Sequence, residues 1–134
     1  MPDFTGVNHI ALTVRDLPRS VAWYTDLLGL QKVGELPDEG GRGAKVLLRH
    51  PASGLVVVLC AHRANPGEPF SEFRTGLDHL SLTVRDRAEL DAWQARFAAR
   101  GVTHSPVYES PSGRGTVLVF RDPDNIQLEM YLPT

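Results

Sequence analysis

The sequence predicts an α+β protein made of tandem βαβββ modules, and three observations carry that prediction. One phrase is written twice, as "GVNHIALTVRD" from Gly6 to Asp16 and "GLDHLSLTVRD" from Gly76 to Asp86. A second phrase also recurs, as "GRGAKVLLRHP" from Gly41 to Pro51 and "GRGTVLVFRDP" from Gly113 to Pro123. In each copy one helical pattern follows the first phrase, and short apolar stretches of strand length come after it. Two copies are too few for a solenoid, so they point to a duplicated module with a pseudo-two-fold axis. The modules are expected over residues 4–62 and 75–132, together one domain in a chain of 134 residues. Their mixed sheets are expected to curve around a central cavity.

Each element follows from local chemistry. Asn8 to Val14 is rich in strand formers and alternates, as a half-buried strand does. Asp16 and Pro18 then open a helix as cap and first-turn proline. Val21, Tyr24, Leu27 and Leu28 supply its apolar stripe, and Gly29 ends it. In the second copy Asp86 and Glu89 resemble a capping box, Leu90, Trp93 and Phe97 form the stripe, and Gly101 is the stop. Three strands are expected after that helix, over Thr103–Glu109, Thr116–Arg121 and Ile126–Tyr131. Asp122, Pro123, Asp124 and Asn125 make the turn between the last two.

Composition excludes several classes. A net charge of −2 argues against a dedicated nucleic-acid surface and supplies no polybasic membrane patch. No apolar run approaches the roughly 20 residues a membrane span needs. The N-terminal stretch "MPDFTGVNH" lacks a basic region followed by an apolar one, and Cys60 has no second cysteine to pair with. A cytoplasmic protein is expected, with a small molecule as its partner.

Period-two alternation sorts the side chains by face. With Ile10, Leu12 and Val14 against the first helix, His9, Ala11 and Thr13 face away. The twin strand sets Leu80, Leu82 and Val84 against its helix and leaves His79, Ser81 and Thr83. The last strand adds Gln127, Glu129 and Tyr131 on one face, and the turns align these with Val56, Val58 and Cys60. Glu129 is a carboxylate between Leu128 and Met130, so it needs a charged partner, hydrogen bonds or a metal. A lone histidine on a strand is ordinarily a hydrogen-bonded structural residue. Cys60 reads as a small buried apolar side chain.

"GVNHIALTV", "GLDHLSLTV" and "FRDPDNIQLEMY" resemble the ligand-bearing strands of the vicinal oxygen chelate superfamily. That superfamily includes glyoxalase I, extradiol dioxygenases and bleomycin-binding resistance proteins. The resemblance covers nearly the whole chain and implies the glyoxalase-like fold. Asn125 stands near a position where the family commonly has glycine. Carried over by position, the family's metal ligands are His9, His79 and Glu129. The fourth ligand position falls on Val58, which cannot bind a metal. Two imidazoles and one carboxylate have the composition of a facial triad, which favours Fe(II), with Mn(II), Ni(II), Co(II) or Zn(II) also able to bind.

The resemblance implies a metal-dependent enzyme that takes a small oxygenated substrate by bidentate chelation. Oxygenase chemistry is preferred over glyoxalase-type lyase or isomerase chemistry, because Val58 removes the carboxylate that would serve as a base. Glu129 remains the candidate catalytic carboxylate. His104 and Tyr108 share a parity on the expected Thr103–Glu109 strand and are candidate proton donors, with surface or core placement as the alternative. "GRGTVLVFRDP" lacks the histidine and tyrosine of the extradiol signature. The alternative is a non-catalytic protein that sequesters a drug. Members of the family usually pair, so a homodimer is expected, with the modules closing either within one chain or across two.

Overall fold

The computed structural model describes residues 1–134. Two compact units divide the chain, Met1–Glu68 and Pro69–Thr134.

The first unit begins with β1 (Ile10–Thr13), continues through α1 (Leu17–Leu28), and ends with β2 (Gln31–Leu36), β3 (Gly43–Arg49) and β4 (Val56–His62). Its sheet has the order β1-β4-β3-β2. β1 runs parallel to β4 and the other pairs are antiparallel. A parallel pair needs a crossover, and α1 lies within it. Asp16 caps α1 by accepting from the Arg19 amide at 3.0 Å, and Pro18 fills the first turn, where no amide partner is needed. Gly29 closes it at φ 74°, a left-handed conformation that costs glycine little. The stripe of α1 packs on one face of the sheet: Tyr24, Leu27 and Leu28 are buried with Leu12, Val14, Leu48, Val57 and Leu59. Each such side chain contributes roughly 1.5–3 kcal/mol by leaving water.

The second unit repeats this order with β5 (Leu80–Thr83), α2 (Arg87–Ala99), β6 (Tyr108–Glu109), β7 (Gly115–Arg121) and β8 (Gln127–Pro133). Its sheet runs β5-β8-β7-β6, again with the first strand parallel to the last. Asp86 caps α2 through the Glu89 amide at 2.9 Å. The Glu89 carboxylate reaches back one residue further than the usual reciprocal cap and accepts from the Arg85 amide at 2.9 Å. The core is aromatic: Phe97 stacks on Phe120 at 4.3 Å, with Leu90, Leu118 and Leu128 fully buried around them.

One expected strand is shorter than the sequence suggests. Thr103–Glu109 reduces to β6 and an isolated bridge from His104 to Phe120. Pro106 has no amide to offer a ladder. The Ser105 hydroxyl takes the Val119 amide at 3.0 Å, and Gln94 of α2 accepts from the Val107 amide at 3.3 Å. The alternation is broken between His104 and Tyr108, so their expected shared parity is lost.

The turn before β8 matches its sequence. Asp122 accepts from the amides of Asp124 and Ile126, both at 2.8 Å, and Asn125 is the sole non-glycine residue at positive φ, 67°. No helix of the chain is long and apolar enough to cross a membrane.

Candidate functional site

In the second unit, strand register fixes which side chains share the face turned away from α2. Leu80, Leu128 and Phe120 stand level with one another, and Phe120 meets Phe97 of α2, so this row faces the helix. Ser81, Glu129 and Val119 form the next row and therefore face the other way. Thr83, Tyr131, Val117 and Tyr108 form a further row of the same parity. Gln127 and Arg121 complete the face at the start of β8.

His79 immediately precedes β5 and reaches this face. Its Nε2 lies 3.5 Å from Glu129 Oε2, and its Nδ1 lies 2.6 Å from Asp78 Oδ1. The His79 side chain is 40% exposed and that of Glu129 only 15%. Carboxylates accept and do not donate, so the Asp78 contact places the ring proton on Nδ1. The other ring nitrogen, Nε2, is then turned toward the Glu129 carboxylate. Two electron-rich atoms converging in this way call for a cation or a proton between them. The donor set, an imidazole nitrogen and a carboxylate oxygen, suits a divalent transition ion.

The first unit holds the counterpart. His9 precedes β1, and its Nδ1 lies 2.8 Å from Asn8 Oδ1, leaving Nε2 free in the same way. Ala11 pairs with Val58 as Ser81 pairs with Glu129, so Val58 occupies the position of the carboxylate. Cys60 shares that face next to Lys45. Burial pushes its thiol up, against a smaller pull from Lys45, which keeps it protonated and poorly nucleophilic. The chain gathers no group of three or more His, Cys, Asp or Glu side chains placed to hold a metal ion.

The other two candidates separate. Tyr108 lies on the Glu129 face, level with Val117, and is 40% exposed. His104 lies level with Phe120, its ring 6.2 Å from Phe97 and its Nδ1 donating to the Ser105 carbonyl at 2.7 Å. It belongs to the helix-side core, which corrects the expectation that it shares a face with Tyr108.

Two features lay outside the sequence reading. Asp78 and Asn8 each hold a histidine, and the available signal was an Asp or Asn before the histidine in both copies. Arg121 carries a network as well. Its Nη2 donates to Glu72 Oε1 at 2.7 Å and Gln127 Oε1 at 2.8 Å, and its Nη1 donates to Glu72 Oε2 and the Asn125 carbonyl, both at 3.1 Å. These hydrogen bonds from Arg121 hold the Glu72 carboxyl down at about 2.

Comparison with known proteins agrees with this architecture. The model of the Glyoxalase/Bleomycin resistance protein/Dioxygenase superfamily matches residues 6–130. The uncharacterized protein YaeR of Escherichia coli is 30% identical over 125 residues, 93% of this chain and 94% of that one. The catechol-2,3-dioxygenase of Bacillus subtilis is 28% identical over 133 residues, covering 95% of this chain but 41% of the longer relative. A solved glyoxylase/bleomycin resistance protein/dioxygenase domain from Frankia sp. EAN1pec superposes with a TM-score of 0.88 at 38% identity, covering 98% of this chain and all of that one. The chain belongs to the glyoxalase/bleomycin resistance protein/dioxygenase superfamily.

Proposed function

We propose that the chain is a divalent-metal enzyme that takes a small molecule through two adjacent oxygens, with oxygenase chemistry preferred and Fe(II) the favoured ion. His79 and Glu129 are two of its ligands and His9 is the third. The observation that carries this reading is the approach of His79 Nε2 to Glu129 Oε2 at 3.5 Å, an imidazole nitrogen and a carboxylate oxygen turned toward one another. A divalent ion held there would supply Lewis acidity toward substrate oxygens.

The chain's own residues define what else the site can do. Glu129 is the only carboxylate in the strand rows of its face, so ligand and lone base would have to be the same group. Val58 supplies no substitute in the first unit. Isomerase or lyase chemistry beside a carbonyl needs a positioned base, and this lack favours oxygenase chemistry. Tyr108, like Tyr131 on the same Glu129 face, is a group able to donate a proton to a substrate oxygen. Three protein ligands leave open positions on an ion of octahedral habit, enough for a vicinal diol, a catechol or a hydroxy-carbonyl. A homodimer in the cytoplasm is the setting proposed for this activity.

The test is to load the full chain with Fe(II) without air, add a panel of catechols, admit air and follow oxygen uptake. Uptake that requires both Fe(II) and a catechol is expected. Turnover only of a hemithioacetal by Ni(II)- or Zn(II)-loaded protein would replace the oxygenase with a lyase. Silence in both assays, with tight binding of an aromatic antibiotic by metal-free protein, would identify a sequestering protein.

A further inference from the structure

The repeated phrase differs at the residue just before its histidine, which is asparagine in the first copy and aspartate in the second. Both side chains do the same thing. Asn8 Oδ1 lies 2.8 Å from His9 Nδ1, and Asp78 Oδ1 lies 2.6 Å from His79 Nδ1. Two copies that differ at many other positions keep an Asp or Asn side chain here and turn it onto the same ring nitrogen. In the second copy the consequence is visible, because the opposite nitrogen is aimed at Glu129.

We infer that Asp78 is a positioning residue for His79, and Asn8 for His9: each accepts the Nδ1 proton, fixing the ring's rotation and its Nδ1–H tautomer so that Nε2 is presented as a metal ligand. This rests on the metal reading above. A histidine whose ring is free to turn divides its time between rotamers and tautomers, and only one combination sends an Nε2 lone pair to Glu129. A hydrogen bond to Nδ1 removes the others before the ion arrives. The acceptor oxygen is what matters, since an amide already serves at His9. Loss of such an outer partner typically lowers metal affinity about 10–100-fold. Asp78 is 66% exposed, so its replacement does not disturb the core.

The test uses Co(II) as the probe on the full chain. D78A should bind Co(II) at least about tenfold more weakly than the parent. D78N keeps an acceptor oxygen, a weaker one than a carboxylate, and should stay within about fivefold of the parent. Nitrogen-15 NMR of the metal-free chain, with the histidines neutral, supplies a readout that a purely structural role would leave alone. His79 should be the Nδ1–H tautomer in the parent and shift toward Nε2–H in D78A. The inference is overturned if parent His79 is the Nε2–H tautomer, if D78A binds Co(II) as the parent does, or if D78N falls as far as D78A. H79A separates the two levels of the argument. If Co(II) affinity survives in H79A, the metal reading itself fails; if it is lost there but kept in D78A, only the positioning role fails.

Discussion

Val58 and Glu129 hold the same place in the two sheets. Val58 stands opposite Ala11 on β1 and Leu47 on β3, while Glu129 stands opposite Ser81 on β5 and Val119 on β7. The duplicated module therefore carries one carboxylate where a symmetric version would carry two. Val58 is 8% exposed and packs as an ordinary core residue. This asymmetry underlies the preference for a three-ligand site with open positions.

Val58→Glu is expected to restore the missing carboxylate beside His9. Metal-free protein should lose about 1–3 kcal/mol, since a buried carboxylate without partners bears its desolvation penalty. Added Co(II) should raise the thermal midpoint of this variant more than that of the parent, because an ion binding only the folded chain stabilises it. An equal shift in both proteins would mean that position 58 does not face a metal.

Gly43 and Gly115 are the same residue of the repeated "GRG" phrase, and both lie where backbone passes close. A Cβ on Gly43 would overlap the Ala61 carbonyl, and one on Gly115 would overlap the Leu132 carbonyl and come within 2.7 Å of the Tyr131 ring. Gly115→Ala should therefore cost about 1–3 kcal/mol in chemical unfolding, the range for overpacking. Gly43→Ala should cost more, because its φ of 124° also disfavours a side chain. Midpoints unchanged in both variants would contradict the close approach.

Acid stability should carry the signature of Glu72. Its carboxyl sits at about 2 in the folded chain, chiefly through hydrogen bonds from Arg121, against an ordinary value of 4.5. A depressed folded value means that the stabilisation is complete above pH 4.5 and is lost as pH falls toward 2. Glu72→Gln should flatten the dependence of the urea midpoint on pH across that interval and leave the slope above it unchanged. A variant with the parent's acid slope would show that the pair does not couple to folding.

The fold was legible because its signals are written twice. Asp16, Asp86 and Gly29 act as the caps their positions suggest, and period-two alternation correctly set Leu80 and Leu82 against the helix and Ser81 and Thr83 away from it. Tyr108 and His104 were harder to place, because their shared parity required an unbroken strand. Pro106 and the Ser105 hydroxyl interrupt the ladder between them, turning one toward the core and leaving the other on the Glu129 face. Asp78 escaped notice because it lies before β5 begins, where alternation assigns no direction. The Glu72–Arg121 pair joins a loop to a strand 49 positions away, and no local period reports such a contact.

Metal stoichiometry of the purified, Co(II)-loaded chain and its variants tests the central claim most directly. The account predicts one ion per chain in the parent, with metal–ligand distances near about 2.0–2.2 Å. It also predicts a sharp loss of occupancy in Glu129→Gln, His79→Ala and His9→Ala, with unfolding midpoints of the metal-free proteins showing that each variant still folds. Full occupancy in a variant lacking both histidines would contradict it.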